Sequence, residues 1–287
     1  MKTEEDRAVS PGQAITLRAL AGIEARRYAR HPGFLLGVGL LVVAAAFSSS
    51  QLGASSGTPT LQPAFFLGLI GVLVGFQLTR SMTRSTDAVE ASPTDEVVRS
   101  AALCVACLVP GAVAVGWVVW AYVAMAMWPI PHSAAISSTN RGFMLVAGVV
   151  YAVGGPLFGV MAGRWTRFPG AGVTAVVVLF LWTLLSTFGL RMPASRMSTL
   201  VHLSAPFTSW VSSDGPAPAP LWVAGGSAGW YLVYITLLCG LAATASLLHG
   251  AVGARRSWLL RALVLLALLA VLSLALAAST DPTRIPL

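Results

Sequence analysis

Acidic side chains are scarce in this 287-residue chain, and none of the ten falls inside a long apolar run. Relays that carry protons or ions through a bilayer usually place ionisable groups at membrane depth. Their absence disfavours a proton-driven pathway, while sodium sites built from carbonyls and hydroxyls stay open. Lysine is almost missing, Lys2 being the only one. A phosphate-binding loop ends in Gly-Lys-Ser/Thr, so no ATP-hydrolysing motif belongs to this chain. The four histidines, His31, His132, His202 and His249, stand at or beyond the ends of apolar runs and form no HExxH pair. Paired glutamates occur only at Glu4-Glu5. Without an acid, a base and an activated nucleophile inside the runs, no catalytic residue is expected. No cofactor or metal site is expected either. Of the three cysteines, Cys104 and Cys107 share a helical face but have no further Cys or His close in sequence, and Cys239 lies on another run. They read as small packing residues rather than a redox or metal pair.

What the chain does have is apolar length. Hydrophobic residues make up 56% and charged residues 10%, with a mean hydropathy of +0.78, far from the soluble average. A spanning helix needs about 20 mostly apolar residues, and about seven stretches qualify: 33–50, 63–79, 100–128, 143–163, 170–190, 228–248 and 257–279. The first dissolves into Ser48, Ser49, Ser50 and Gln51. None shows the period-2 alternation of an outer-membrane barrel. The fold class is therefore an all-α integral membrane protein, a polytopic bundle of about six or seven transmembrane helices in one domain over residues 1–287. The polar stretch before the first run is too long for the n-region of a cleaved signal peptide.

The net charge of +8 and pI of about 10.3 do not point to nucleic acid, because the arginines sit at run ends and not on a basic face interleaved with aromatics. Arginine outnumbers lysine 17 to 1 (18 basic residues, one of them Lys2), amid abundant Ala, Gly and Val, as in a GC-rich genome. With the N-terminus placed in the cytoplasm, fourteen basic residues fall inside and four, Arg141, Arg191, Arg196 and Arg284, outside. That asymmetry follows the positive-inside rule and implies a multi-pass protein of the cytoplasmic (plasma) membrane, with the tail from Thr280 outside.

Four segments carry further pattern. Residues 13–30 set Leu17, Leu20 and Ile23 against Arg18, Glu24, Arg26, Arg27 and Arg30, which reads either as an amphipathic helix on the inner leaflet or as a basic anchor. His31-Pro32-Gly33 then turns the chain into the membrane. The 80–99 loop is the most polar cytoplasmic connection. Asp87 caps a short helix answered by Glu90, and Ser92, Pro93 and Asp95 have the N-cap, N1 and N3 spacing of a fresh helix start. It is either a docking element or a solvated turn. The 191–227 connection, with Trp210, Trp222 and Pro216, Pro218 and Pro220, either re-enters the outer leaflet or rests on it. Gly71 and Gly75, and Gly155, Gly159 and Gly163, form ladders that permit close helix packing. Pro110 and Pro156 are expected to kink their spans.

In this order the features resemble the permease subunit of a type-2 ABC exporter. The matching parts are the N-terminal segment 17–32, the 84–96 loop between the second and third runs, and the 197–223 segment ahead of Gly229-Trp230-Tyr231-Leu232-Val233-Tyr234. The stretch from Arg84 through Pro93 to Arg99-Ser100-Ala101-Ala102-Leu103-Cys104 is similar to actinobacterial members. A seventh run, 257–279, departs from the usual six. The resemblance implies an exporter in which this chain pairs with a second permease chain and with ABC ATPase subunits that bind the ATP, embedded in membrane lipid. It implies an amphipathic or lipophilic cargo moving along the permease interface. Arg84, Asp87, Glu90, Asp95 and Glu96 would be the ATPase-coupling contacts, acting by docking or force transfer. The alternatives are an ATP-independent secondary transporter or channel, and a non-transporting membrane anchor subunit.

Overall fold

The computed structural model describes residues 11–49, 62–84, 95–127, 138–166, 168, 170–188, 196–206, 211–213, 221–223, 226–279 and 284–285. The fold is a helical bundle. Its helices are α1 (Pro11–Ala29), α2 (Pro32–Ser49), α3 (Ile70–Arg84), α4 (Glu96–Ala106), α5 (Leu108–Met127), α6 (Ser138–Trp165), α7 (Ala171–Phe188), α8 (Arg196–Ser204), α9 (Ala228–Leu248) and α10 (Gly253–Ala278). A π-helical turn, Ala64–Leu69, runs straight into α3. Three short strand pieces, β1 (Val211–Ser213), β2 (Leu221–Val223) and β3 (Arg284–Ile285), pair antiparallel in the order β1-β2-β3. The pairing of Trp222 with Arg284 ties the C-terminal segment to the 211–223 connection.

Among the described residues, five helices are long and apolar enough to cross a membrane: Ala64–Met82, Glu96–Val123, Gly142–Trp165, Ala228–Leu248 and Gly253–Ala278. The first run expected from the sequence is one arm of a pair, Ala14–Ala29 and Pro32–Ala46, bent by 58°, and counting the pair as one span gives six. The fifth run forms α7 (Ala171–Phe188), of which Ala171–Ser186 is an apolar helix among the described residues. The bend sits where Pro32 begins α2, and proline disfavours helical geometry at the residue before it.

Opposed contacts give the helix directions. Gly33 lies against Val74 while Gly37 lies against Phe66, so α2 runs antiparallel to α3. At one end of the bundle Arg27 meets Ser81, Arg164 meets Glu96, and Arg255 meets Asp95. At the other end Trp182 meets Ser204, Ser186 meets His202, and the Ser227 N–H donates to the Ala277 carbonyl. The ends of α3, α6 and α9 and the starts of α2, α4, α7 and α10 thus share the first end, which is rich in arginine.

The core centres on α6, which packs on α3, α9, α5 and α7. Two glycine ladders face one another here. A Cβ at Gly155 would fall on the Gly68 carbonyl, one at Gly159 on that of Val72, and one at Gly75 on that of Pro156. Gly71 lies against the Pro156 ring, 2.7 Å from Cδ to where a Cβ would stand, and Gly163 faces the Thr79 Cβ at 2.9 Å. In a bilayer, lipid competes equally for apolar surface, so close backbone approach of this kind supplies the dispersion contacts that hold helices together. Leucines and valines point outward from α2, α7 and α10, among them Leu36, Leu185 and Leu268, as a lipid-facing surface would require.

The prolines act differently from each other. Pro110 follows a one-residue break at Cys107 between α4 and α5, as expected of a ring that cannot donate to, and crowds, the carbonyl four residues back, yet Glu96–Val123 still counts as one span. Pro156 stays inside a continuous α6.

The structure does not confirm the amphipathic division expected for α1, whose Leu17 and Leu20 are half-buried. Ile15 and Ile23 are exposed (71% and 55%), whereas Ala21, Tyr28 and the carboxylate of Glu24 are buried. Glu24 belongs to the packed face because α1 lies against α4 and Arg27, three residues on, neutralises it at 3.0 Å.

Candidate functional site

The first candidate is an ionic junction at the arginine-rich end. Asp95 has extended backbone (φ −56°, ψ 137°) and its side chain accepts from the Val97 N–H at 3.1 Å. It is the N-cap of α4, not the third helical residue expected from the Ser92-Pro93 pattern. A side-chain oxygen so placed satisfies a donor that the first turn leaves unpaired. Its other oxygen accepts from Arg255 Nη1 of α10 at 3.2 Å. Glu96 accepts from Arg164 Nη1, in the last turn of α6, at 2.9 Å, and lies 3.4 Å from His249 Nδ1. The pair is asymmetric in exposure, with Arg164 at 6% and Glu96 at 47%.

Aromatic and small residues close the junction. Trp165 Nε1 donates to the Ala245 carbonyl at 3.0 Å, and the indole meets the His249 ring edge-on at 5.6 Å. Gly250 leaves room for Glu96, whose Cδ would lie 3.0 Å from a Cβ there. Below it Val97, Leu248, Ala251 and Leu259 form a small apolar cluster. The beginning of α4 is thereby fastened to the ends of α6 and α9 and to the start of α10.

Of the five coupling residues expected from the sequence, the structure brings Asp95 and Glu96 together in this junction. Arg84 ends α3, and its side chain, like Asp87 and Glu90, lies outside the described residues.

The second candidate is an apolar cavity of about 300 Å³ between α6, α7, α8 and α9. Phe158, Met161, Val178, Leu238 and Leu241 supply apolar walls, and Trp182, Tyr151 and Tyr234 bring polar atoms. Tyr231 OH donates to the Ala205 carbonyl at 3.1 Å, which leaves Tyr151 OH as the donor in their 2.7 Å contact. Tyr234 OH donates to the Ser204 carbonyl at 2.9 Å, and Trp182 Nε1 to Ser204 Oγ at 3.3 Å. These bonds tie α8 and the residues after it onto the spans as a roof. His202 of α8 is buried (1%), with Nδ1 3.3 Å from the Ser186 carbonyl.

The tyrosines were legible as polar residues inside apolar runs, but only the fold shows that Tyr151 and Tyr231 meet. Cys104, Cys107 and Cys239 are free thiols, and Cys107 is buried with Sγ 3.2 Å from the Leu103 carbonyl. Among the described residues, no three His, Cys, Asp or Glu side chains gather as a metal site would need.

No protein-family model, curated protein or solved structure matches this chain.

Proposed function

We propose that this chain is the membrane-spanning permease subunit of an ABC exporter, powered by a separate ATPase subunit and paired with a second permease chain. The observation that carries the reading is the ionic junction. The polar 80–99 segment holds Asp95 and Glu96, and these two carboxylates meet Arg164, His249 and Arg255 at the ends of three different spans. A push on the loop from a soluble motor would reach α6, α9 and α10 together, without any ionisable relay inside the membrane. In this reading the arginine-rich end faces the cytoplasm and the N-terminus lies on that side. The apolar cavity under α8, with its tyrosine and tryptophan donors, suits an amphipathic or lipophilic cargo.

The test is purification of the full chain from its native membranes, with the bound proteins identified by mass spectrometry. An ABC ATPase in near-stoichiometric amount is expected, and it should be lost when residues 87–90 are replaced by Gly and Ser. Purification without an ATPase, together with uptake driven by an ion gradient in ATP-free vesicles, would sink the proposal.

A further inference from the structure

A second cavity, of about 550 Å³, opens at the arginine-rich end between the α1–α2 turn, the last turns of α3 and the first turn of α7. Neither the ionic junction nor the tyrosine-lined cavity uses it. Its polar lining is Arg27, His31, Gln77, Arg80 and Ser81, and its apolar lining includes Leu73, Phe76 and Val173. Among the described residues, no carboxylate lines it.

Two guanidinium groups reach it. Arg27 spans the rim, with Nη1 on Glu24 at 3.0 Å and Nη2 on Ser81 Oγ at 2.9 Å. Arg80 stands 5.9 Å from the Phe76 ring centroid, with Nη1 3.5 Å from the Thr166 carbonyl. His31 accepts from the Gly33 N–H through Nδ1 at 3.1 Å. Burial lowers its pKa, a hydrogen bond with Gln77 pulls it back up, and the Arg27 charge lowers it again. Gly172 lets α7 start directly against Phe76, where a Cβ would lie 2.6 Å from Cδ1. The partially positive N-terminus of α7 is thereby brought to the same cavity as the two arginines.

We propose that this cavity binds a phosphate group, carried by an anionic phospholipid whose acyl chains lie along the Leu73, Phe76 and Val173 wall, or supplied as free phosphate. Arginine offers a planar fork of N–H donors that matches phosphate oxygens. The volume falls within the range of small-molecule clefts. The apolar wall beside the cationic rim fits a headgroup that remains joined to its chains. The site is independent of whether an ATPase drives the protein.

Native mass spectrometry of the full chain in detergent tests this. The probes are short-chain phosphatidylglycerol, phosphatidylcholine and inorganic phosphate. Saturable phosphatidylglycerol adducts are expected, at least tenfold tighter than phosphatidylcholine. Displacement of the lipid by millimolar inorganic phosphate would assign the site to free phosphate, and resistance to it would assign the site to lipid. Arg80→Gln should weaken binding of the preferred probe about tenfold, which is a loss of ~1.4 kcal/mol. The double variant Glu24→Gln/Arg27→Gln should weaken it similarly without stranding a buried carboxylate. Arg256→Gln, exposed on α10 and outside the cavity, should leave binding unchanged. Retained affinity in both cavity variants, or an equal loss in Arg256→Gln, would overturn the proposal.

Discussion

At the scale of single residues, the α3–α6 contact makes the sharpest demands. Gly155 and Gly159 stand where a methyl group would meet the carbonyls of Gly68 and Val72. Gly155→Ala or Gly159→Ala should cost about 1–3 kcal/mol by overpacking, seen as a lower thermal midpoint in detergent. Gly116→Ala in α5, with nothing within 4 Å of its added methyl, should be neutral or gain up to ~1 kcal/mol of helix propensity. Equal effects at the two kinds of site would refute the packing account. Tyr28 offers a converse case. Its hydroxyl is buried with no hydrogen-bond partner among the described residues, and an unsatisfied buried donor costs about 1–3 kcal/mol. Tyr28→Phe should therefore hold or raise the thermal midpoint, and a marked drop would reveal a partner the hydroxyl depends on. Spacing alone marks both glycine ladders in the sequence. It does not say that they face one another, because that depends on how α3 and α6 dock. Glu24 shows the same limit: the α1 pattern groups it with the arginines, but the partner that buries it, α4, is distant in sequence.

At the scale of elements, what hydropathy conveys is apolar length, and what it misses is where backbone geometry interrupts it. The runs over 63–79, 100–128, 143–163, 228–248 and 257–279 became helices of spanning length because each is long and uniformly apolar. The run over 33–50 became one arm of a bent pair at Pro32, and 170–190 formed α7, Ala171–Phe188. The start of α4 shows a finer limit. Both Ser92 and Asp95 are good caps by residue type, and only the extended backbone of Asp95 decides between them. The junction built on that start is itself testable. Glu96→Gln removes the negative partner of a nearly buried Arg164. The cost should fall between the ~1 kcal/mol of exposed pairs and the ~3–5 kcal/mol of buried ones. Hydrogen exchange should accelerate in the first turns of α4 and the last turn of α6, while α8, at the opposite end, stays as slow as before. Unchanged exchange at α4 would mean that the carboxylate does not fasten these helices.

At the scale of the whole molecule, the account rests on a polarised bundle. One end gathers Arg27, Arg80, Arg164 and Arg255 with Asp95 and Glu96, and the other holds α8 and the tyrosine roof. The charge asymmetry was visible in the sequence, since arginine positions can be counted along alternating connections. The convergence of three spans on two neighbouring carboxylates was not, because it depends on the ends of α6, α9 and α10 meeting in space. In the proposed reading, that convergence would let the polar loop act as a lever for a soluble motor. The most direct measurement is ATP hydrolysis by the chain reconstituted in liposomes with its co-purified ATPase, comparing the unaltered protein with Glu96→Gln. The expected result is undiminished ATPase binding with a stimulated rate about tenfold lower, a change of ~1.4 kcal/mol in the barrier. Equal stimulated rates in the two proteins would contradict the claim that the junction carries the motor's stroke into the membrane.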